Sequence, residues 1–483
     1  MSTPRDHSLR SRLTPRMKEH VELRHGAYAD SVTLLQVSRT VQDEPGVLAA
    51  QVAMATPLNL EVLTGMGFTV PDAAPDDLVV ALRLDGSTEL GDVLAAVDAA
   101  LSRSTRSSVT TAEHAPPRTT AAALRLAPEA FVLVSVPGAN ALVEAMDALD
   151  AGSDVMVFSD NVPLEQEVAL KRVAAERDLL VMGPDCGTAV VGGLGLGFAN
   201  VTTPGPVGIV AASGTGCQQL LALLDHAEVG VTSALGVGGR DLSAEVRGLS
   251  TRTALARLEA DPDVELIVLV SKPPADDVAR EIEEYAASLA TPVELALLGA
   301  GQPDLTAAAE AVLRRLGRAV PDWPVTGSAD PSSTSEGSML RGLFVGGTMC
   351  EEARLIATEM LSGADRCDMV DFGADELTGG RAHPMIDPTL RLEQLSQAVA
   401  DERTGVILLD VVLGHGAEPD PGALLAPAVA AADVPVVVSV IGTAHDPQDL
   451  DRQVRVLAEA GAEVHLSNAG ATRRAVELMG GHR

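Results

Sequence analysis

The sequence predicts an α/β protein built on parallel, doubly wound sheets. Short Val/Leu/Ile/Ala runs alternate with amphipathic helical patterns along most of the chain. Hydrophobic residues make up 46% but aromatics only 2%, so the cores must be aliphatic, as in parallel sheets covered by helices. Four sequence landmarks also recur in the same order in two regions, which implies a duplicated domain.

Residues 1–25 are polar and read as a flexible arm. Residues 26–121 hold "SVTLLQV", "VLAAQVAMA", "DLVVALRL" and "TELGDVLAAVDAALSR", a small α/β domain of ferredoxin-like character. It ends in the Ser/Thr/Pro-rich stretch 102–121, which reads as a linker. Residues 122–203 run β-α-β-α-β, from "FVLVSVPG" through "DVMVFSD" to "LLVMGPDCGTA", as a Rossmann-like domain. Residues 204–326 supply "GPVGIVAAS", "VTSALGVGG", "VELIVLVSKPP" and "TPVELALLG" as strands of a flavodoxin-like domain. A linker at 327–339 precedes a second such domain at 340–483.

The duplication is read from four ordered pairs. "GIVAASGTGCQQ" parallels "GLFVGGTMCEEA", and "LGVGGRDLSAEV" parallels "ELTGGRAHPMIDPTL". "DPDVELIVLVSKPPADD" parallels "DERTGVILLDVVLGHGAEPDP", and "ATPVELALLGAG" parallels "DVPVVVSVIGTA". Any one pair could arise by chance; four in order argue for two copies of one fold.

Bulk properties exclude several functions. The formal net charge is −32, and no Lys/Arg block supplies the basic face that nucleic acid requires. Cys186, Cys217, Cys350 and Cys367 have no CxxC spacing, which argues against a zinc site, a redox pair or a disulfide framework. The first twenty residues lack the apolar core of a signal peptide, and no stretch has membrane-spanning character. A soluble cytoplasmic protein is expected.

Ligands of open α/β sheets bind at the carboxyl ends of strands, near the switch point. The first copy offers Ser213–Gly216, Gly236–Asp241 and Ser271–Pro274 there. The second offers Gly346–Thr348, Gly379–His383 and Gly414–Ala417. If the copies face each other, helix N-termini from both can hold a phosphate without lysines. Each turn alone is explained as well by close packing; the set points to an anion site. Ser213, Gly214, Thr215 and Gly216, with Gly414 and Gly416, are the expected phosphate-binding residues. Asp185, Cys186, Gly239, Arg240, Gly346, Gly347 and Thr348 are further ligand-contact candidates. For Cys186 a buried packing role is equally open, and Arg240-Asp241 is open to being a local ion pair. Arg381 can clamp a carboxylate or phosphate, and His383 and His415 are candidates for acid–base work because imidazole titrates near neutrality.

"YADSVTLLQVSRTVQDEPGV", "FSDNVPLEQEVALK", "VMGPDCGT", "ASGTG", "LGVGGRDLS", "VSKPPA", "GRAHPMIDPTLR" and "LLDVVLGHGAEPDP" resemble the FdrA family of the succinyl-CoA synthetase-like superfamily. The resemblance covers residue 28 to about residue 470. It implies a Rossmann-like part and first copy of synthetase α-chain type, and a second copy like the last domain of the β-chain. Departures accompany it. The α-chain's phosphorylated His loop is replaced by "LLGAGQPDL", and "VSKPP" stands where an acidic residue steadies that His. The first Gly-rich CoA-binding turn is missing, which counts against CoA, and no segment is long or Lys-rich enough for an ATP-grasp domain. The resemblance therefore implies a subunit of a carbamoyltransferase that turns oxalurate and phosphate into oxamate and carbamoyl phosphate. It would use no assigned cofactor or metal and would need partner subunits; in that reaction Arg381 and His383 are expected to orient the second substrate or the transferred group, and His383 and His415 are the catalytic candidates for a general base. An acyl-CoA synthetase and a non-catalytic scaffold subunit are the alternatives.

Overall fold

In a computed structural model the chain is described at residues 18–27, 29, 31–106, 117–329, 337–361, 366–378 and 381–480. It divides into two compact units: residues 1–115 with 379–382, and residues 116–378 with 383–483.

The amino-terminal unit contains β1 (Lys18–Arg24), α1 (Ser31–Gln42), β2 (Val47–Met54), α2 (Pro57–Gly65), β3 (Leu78–Leu84) and α3 (Leu90–Arg106). The sheet is antiparallel with order β1-β3-β2. The α1 and α3 helices pack on one another over it, around Val37, Val41, Val80, Leu82 and Val97. The reading of 1–25 as an arm fails for Lys18–Arg24, which pair with β3 along their whole length. The linker reading fails for Ser102–Arg106, which continue α3. Residues 1–17 of the arm, 107–116 of the first linker and 330–336 of the second lie outside the described residues.

The larger unit begins with α4 (Thr120–Leu126), β4 (Val132–Val134), α5 (Gly138–Asp150), β5 (Val155–Val157), α6 (Leu164–Glu176) and β6 (Val181–Met182). Its three strands are parallel in the order β4-β5-β6, the sequential half of a Rossmann sheet.

The first flavodoxin-like copy follows. A hairpin of β7 (Thr188–Val191) and β8 (Leu194–Gly197) leads to β9 (Val207–Ala212), α7 (Gly214–His226), β10 (Val231–Gly236), α8 (Leu249–Glu259), β11 (Leu266–Ser271), α9 (Asp276–Ala287), β12 (Val293–Leu297) and α10 (Leu305–Arg315). The second copy has β13 (Val325–Thr326), β14 (Met339–Phe344), α11 (Gly347–Met360), β15 (Cys367–Asp371), α12 (Asp375–Thr378), α13 (Thr389–Ala400), β16 (Thr404–Val412), α14 (Pro421–Ala430), β17 (Val436–Ile441), α15 (Leu450–Glu459), β18 (Glu463–His465) and α16 (Asn468–Leu478).

The sheets run β12-β11-β9-β10-β7-β8 and β13-β18-β17-β16-β14-β15. Counting only parallel strands from the first in each copy, both follow the order 2-1-3-4, and the second adds a fifth strand. That is flavodoxin topology, and three of the four landmark pairs fall on equivalent strands; the remaining pair sets the end of β10 and its loop against α12 and the loop before α13. The central strands are apolar on both faces: every residue of β9, β11 and β16 is buried, as parallel strands between two helix layers require.

One core joins the copies. It contains Ile209, Leu220 and Val268 from the first and Phe344, Leu408 and Val476 from the second. Helix α7 packs on α10 and α11, and α11 on α16. Two equivalent side chains exchange caps across this layer. Gln219 Oε1 accepts from the Asn468 N–H of α16 at 2.9 Å, and Glu352 Oε1 accepts from the Leu305 N–H of α10 at 2.8 Å. No described helix is long and apolar enough to cross a membrane.

Candidate functional site

Strand β9 hands over to α7 through Ser213, and β14 to α11 through Val345 and Gly346. The two helix N-termini meet. Ser213 Oγ and Thr348 Oγ1, both buried, lie 2.6 Å apart. A Cβ on Gly346 would stand 2.9 Å from the Thr215 side chain, and one on Gly216 would stand 3.1 Å from Thr348 Cγ2. Close approach of two helix ends is what these glycines permit.

Ser213 caps α7, its Oγ accepting from the Gly216 N–H at 3.0 Å. Gly346 has no side chain to do the same for α11. Asp410 of β16 takes part of that role, accepting from the Val345 and Gly346 N–H groups at 2.8 and 2.9 Å. Arg391 pairs with it at 3.2 Å. Burial pushes the Asp410 carboxyl up to about 6 against the pull of Arg391. Beyond the caps, the first-turn N–H groups of Gly214, Thr215, Gly347 and Thr348 have no intrahelical acceptor, and both dipoles add positive potential there.

A lysine completes the spot. Lys272 follows β11, the neighbour of β9 where strand order reverses. A Cβ on Gly347 would stand 2.9 Å from Lys272 Nζ and 2.5 Å from Asp371 Oδ2. Among the described residues Lys272 has no ion-pair partner, and its charge acts on Asp185 and Asp371 from farther away. Burial raises the Asp371 carboxyl, and Lys272 opposes the rise.

Asp185 sits in the turn after β6 with φ 56°, a left-handed conformation that costs a non-glycine residue energy. It is exposed to solvent. Desolvation, with Asp375 and Asp160 adding to it, pushes its carboxyl up to about 7 against Lys272 and Arg240.

The other expected residues divide differently. Ser213–Gly216 and Gly346–Thr348 come together. Gly414–Gly416 does not join them through any described hydrogen bond. The Gly414 N–H donates to Gln448 Oε1 at 3.1 Å and the His415 N–H to the Ala199 carbonyl at 2.9 Å, so two donors of that turn are already committed. His415 itself is exposed.

The general-base reading of His383 is corrected. Its Nδ1 accepts from the Met385 N–H at 3.2 Å, which leaves the ring proton on Nε2. Burial pushes the ring down to about 4. His383 is thus a neutral donor near Gly373 and Asp371.

Cys186 is corrected as a ligand contact. It is buried, with Sγ 3.5 Å from the Thr188 carbonyl, and burial pushes the thiol far up, away from the reactive thiolate. Arg240 and Asp241 do not pair with each other. Arg240 pairs with Glu167 at 2.9 Å, and Asp241 with the fully buried Lys171 at 2.7 Å, an anchor between α6 and the Gly236–Asp241 loop. Gly239 is exposed with open space at its Cβ position. Arg381 is half-buried and groups with the amino-terminal unit; Gly379 and Gly380 lie outside the described residues.

Sequence reasoning missed Lys272, Asp371 and Asp410. One signal was available: of the 35 basic residues only Lys18, Lys171 and Lys272 are lysine, and Lys272 stands in a loop already singled out as a strand end.

Comparison with known proteins bears on this geometry. Residues 343–478 match the family model described as CoA-ligase. The chain is similar to the ADP-forming succinate–CoA ligase subunit alpha of Methanothermobacter thermautotrophicus, at 28% identity over 178 residues, 35% of this chain and 58% of that one. Among solved structures, the apo dinucleotide-forming acetyl-coenzyme A synthetase 1 of Ca. Korarchaeum cryptofilum aligns with a TM-score of 0.30 at 17% identity, over 72% of this chain and 84% of that one.

Residues 17–117 match the model described as AllF, heavy metal-associated domain. The segment contains no cysteine, though it keeps the thioethers of Met17, Met54 and Met66. His20 and His25 bond to Glu22 and Asp77. Among the described residues no group of three His, Cys, Asp or Glu side chains is arranged to hold an ion.

Over 512 aligned residues the chain is 34% identical to the uncharacterized protein YahF of Escherichia coli strain K12, covering 96% of this chain and 99% of that protein. Similarity of that extent, end to end, shows that the chain belongs to the YahF family, with a CoA-ligase domain in its second flavodoxin-like copy.

Proposed function

We propose that this chain is a CoA-ligase-type subunit that transfers an acyl group to or from phosphate, with the phosphoryl oxygens held between the N-termini of α7 and α11. The observation that carries the reading is the convergence of Gly214–Gly216, Gly347–Thr348 and Lys272 on one spot. Oriented N–H donors and one ammonium suit the charge of an acyl phosphate as it breaks down. Atoms balance simply: an acceptor X–H attacks the acyl carbon, the C–O bond to phosphate breaks, and inorganic phosphate departs. The CoA-ligase match and the ligase relatives favour a thiol acceptor, giving a thioester.

A second reading keeps the same site but transfers a carbamoyl group between phosphate and the amide nitrogen of oxamate. It is favoured by "LLGAGQPDL", which offers no histidine to carry phosphate, and by Lys272 in "VSKPP". Both readings invoke partner subunits. Co-purification with the products of neighbouring genes, followed by assays with acyl phosphate plus CoA and with carbamoyl phosphate plus oxamate, separates them. Phosphate release with neither acceptor, and no phosphate binding by the chain, would leave the scaffold reading.

A further inference from the structure

Lys272 and Asp371 reach one point above Gly347 without pairing. Lys272 follows β11 of the first copy, and Asp371 ends β15 of the second. A Cβ on Gly347 would stand 2.9 Å from Lys272 Nζ and 2.5 Å from Asp371 Oδ2, so glycine leaves a gap with an ammonium and a carboxylate on its walls. Among the described residues neither has an ion-pair partner, the other included. Asp371 Oδ1 is committed, accepting from the Gly373 N–H at 2.9 Å. His383 Nε2 lies on that side too, 2.8 Å from where a Gly373 Cβ would be. Oδ2 alone is left for the gap. On the next glycine, Gly346, a Cβ would stand 2.9 Å from Thr215 Oγ1 and 3.0 Å from Asp410 Oδ2, but that Asp410 oxygen already accepts from the Gly346 N–H. An ammonium only donates hydrogen bonds and an ionised carboxylate only accepts them. A group that satisfies both walls of the gap must therefore accept on one side and donate on the other.

We propose that Asp371 sets the anion specificity of this site: it admits an oxyanion that keeps a proton, such as inorganic phosphate or arsenate, and rejects one that has none, such as sulfate. The inference rests on the anion-site reading given above. The charged oxygens of phosphate face Lys272 and the first-turn N–H groups of α11, and its P–OH donates to Asp371 Oδ2. Sulfate matches the phosphate dianion in shape and charge, but it sets a lone pair against the carboxylate. Rejection comes from that unrelieved repulsion as much as from the missing bond. Helix ends and a lysine read charge alone and make no such distinction. The selection also fits the transfer. When X bonds to the acyl carbon and the C–O bond to phosphate breaks, the electron pair leaves with phosphate and the proton of X–H ends on it. Asp371 accepts the hydrogen bond of that new P–OH, whereas an acyl phosphate without a proton meets the same repulsion as sulfate.

Titration calorimetry on the full chain with phosphate, arsenate and sulfate, at about pH 8 where only the first two keep a proton, reads this directly. The wild type should bind phosphate and arsenate alike, and sulfate about a hundredfold or more weakly. Asp371→Asn keeps the oxygen that accepts from the Gly373 N–H and removes only the charge. Because an amide both donates and accepts, this variant should bind phosphate and sulfate within about threefold of each other. Lys272→Met should lose all three anions. Gly347→Ala, whose Cβ would fill the gap, should weaken phosphate while leaving Asp371 in place. The wild-type ratio of phosphate to sulfate decides the matter even where a variant fails to fold. If the wild type binds phosphate and sulfate equally, or if Asp371→Asn keeps the wild-type preference, the role of Asp371 is wrong while the anion site stands. If the wild type binds none of the three anions, the anion-site reading fails and the role of Asp371 falls with it.

Discussion

Ser213 Oγ and Thr348 Oγ1 lie 2.6 Å apart, and they belong to the first turns of two helices 135 residues apart in sequence. The contact ties one flavodoxin-like copy to the other at the point where both helix dipoles are most positive. Thr348→Val keeps the shape and removes the bond, so it should cost about 1 kcal/mol. Ser213→Ala also removes the cap on α7 and should cost about 1–2 kcal/mol. Chemical denaturation of the two variants checks the order; equal costs would mean that the cap contributes nothing.

Gly214 and Gly216 should respond differently to a side chain. A Cβ on Gly214 meets only Thr188 Oγ1 at 3.7 Å, whereas one on Gly216 would collide with Ser213 Oγ. Gly214→Val should fold with near-native stability and lose phosphate binding. Gly216→Ala should lose about 1–3 kcal/mol through overpacking. Thermal melts with and without phosphate check both. A Gly214→Val chain that binds phosphate as the wild type does would make the turn a packing device only.

The buried carboxyl of Glu352 sets a pH dependence. Burial, then Asp304, push it from 4.5 up to about 7. Between those values the folded chain holds a proton that the unfolded chain has released, so this group's contribution to stability falls as pH rises through that window. The advantage is complete only below about 4.5. Glu352→Gln, which installs the side chain found at the equivalent Gln219, should make the slope of stability against pH less negative by up to about one proton equivalent. Urea midpoints at pH 5 and 7.5 provide the comparison.

Lys171 should be intolerant of neutralisation. It is fully buried and bonds Glu167 at 2.8 Å, Asp241 at 2.7 Å and the Val237 carbonyl at 2.8 Å. Lys171→Met would strand two buried carboxylates and should cost about 3–5 kcal/mol. A small effect, measured by denaturation, would show that Arg240 and Thr251 suffice to satisfy them.

Much of the fold was legible because parallel strands and amphipathic helices write their periodicities plainly. The alignment of "GTGCQQ" with "GTMCEE" already set Gln219 opposite Glu352. What it could not show was that each caps a helix of the other copy, because that depends on how the two sheets stack. The site was half legible. Glycine turns announce themselves at Gly214 and Gly347, and the turn at Gly414 reads the same way; only the structure shows the Gly414 and His415 N–H groups donating to Gln448 and Ala199. Strand β1 was hidden by the polar stretch before it: "KEHVELR" carries charge on a strand with no buried residue. His383 looked like a base because sequence gives no view of which ring nitrogen the backbone already occupies.

The exchanged caps of Gln219 and Glu352 make the two flavodoxin-like copies a dimer written on one chain. Neither half can complete its helix ends or close its share of the core alone. Residues 204–326 and 340–483, expressed apart, should each be poorly soluble and should recover their melting transition only on mixing, in a concentration-dependent way. The segment joining them then acts as a tether that keeps the effective concentration of each half high for the other. Lengthening that segment with glycine and serine should lower stability only slightly, whereas cutting it should make folding second order.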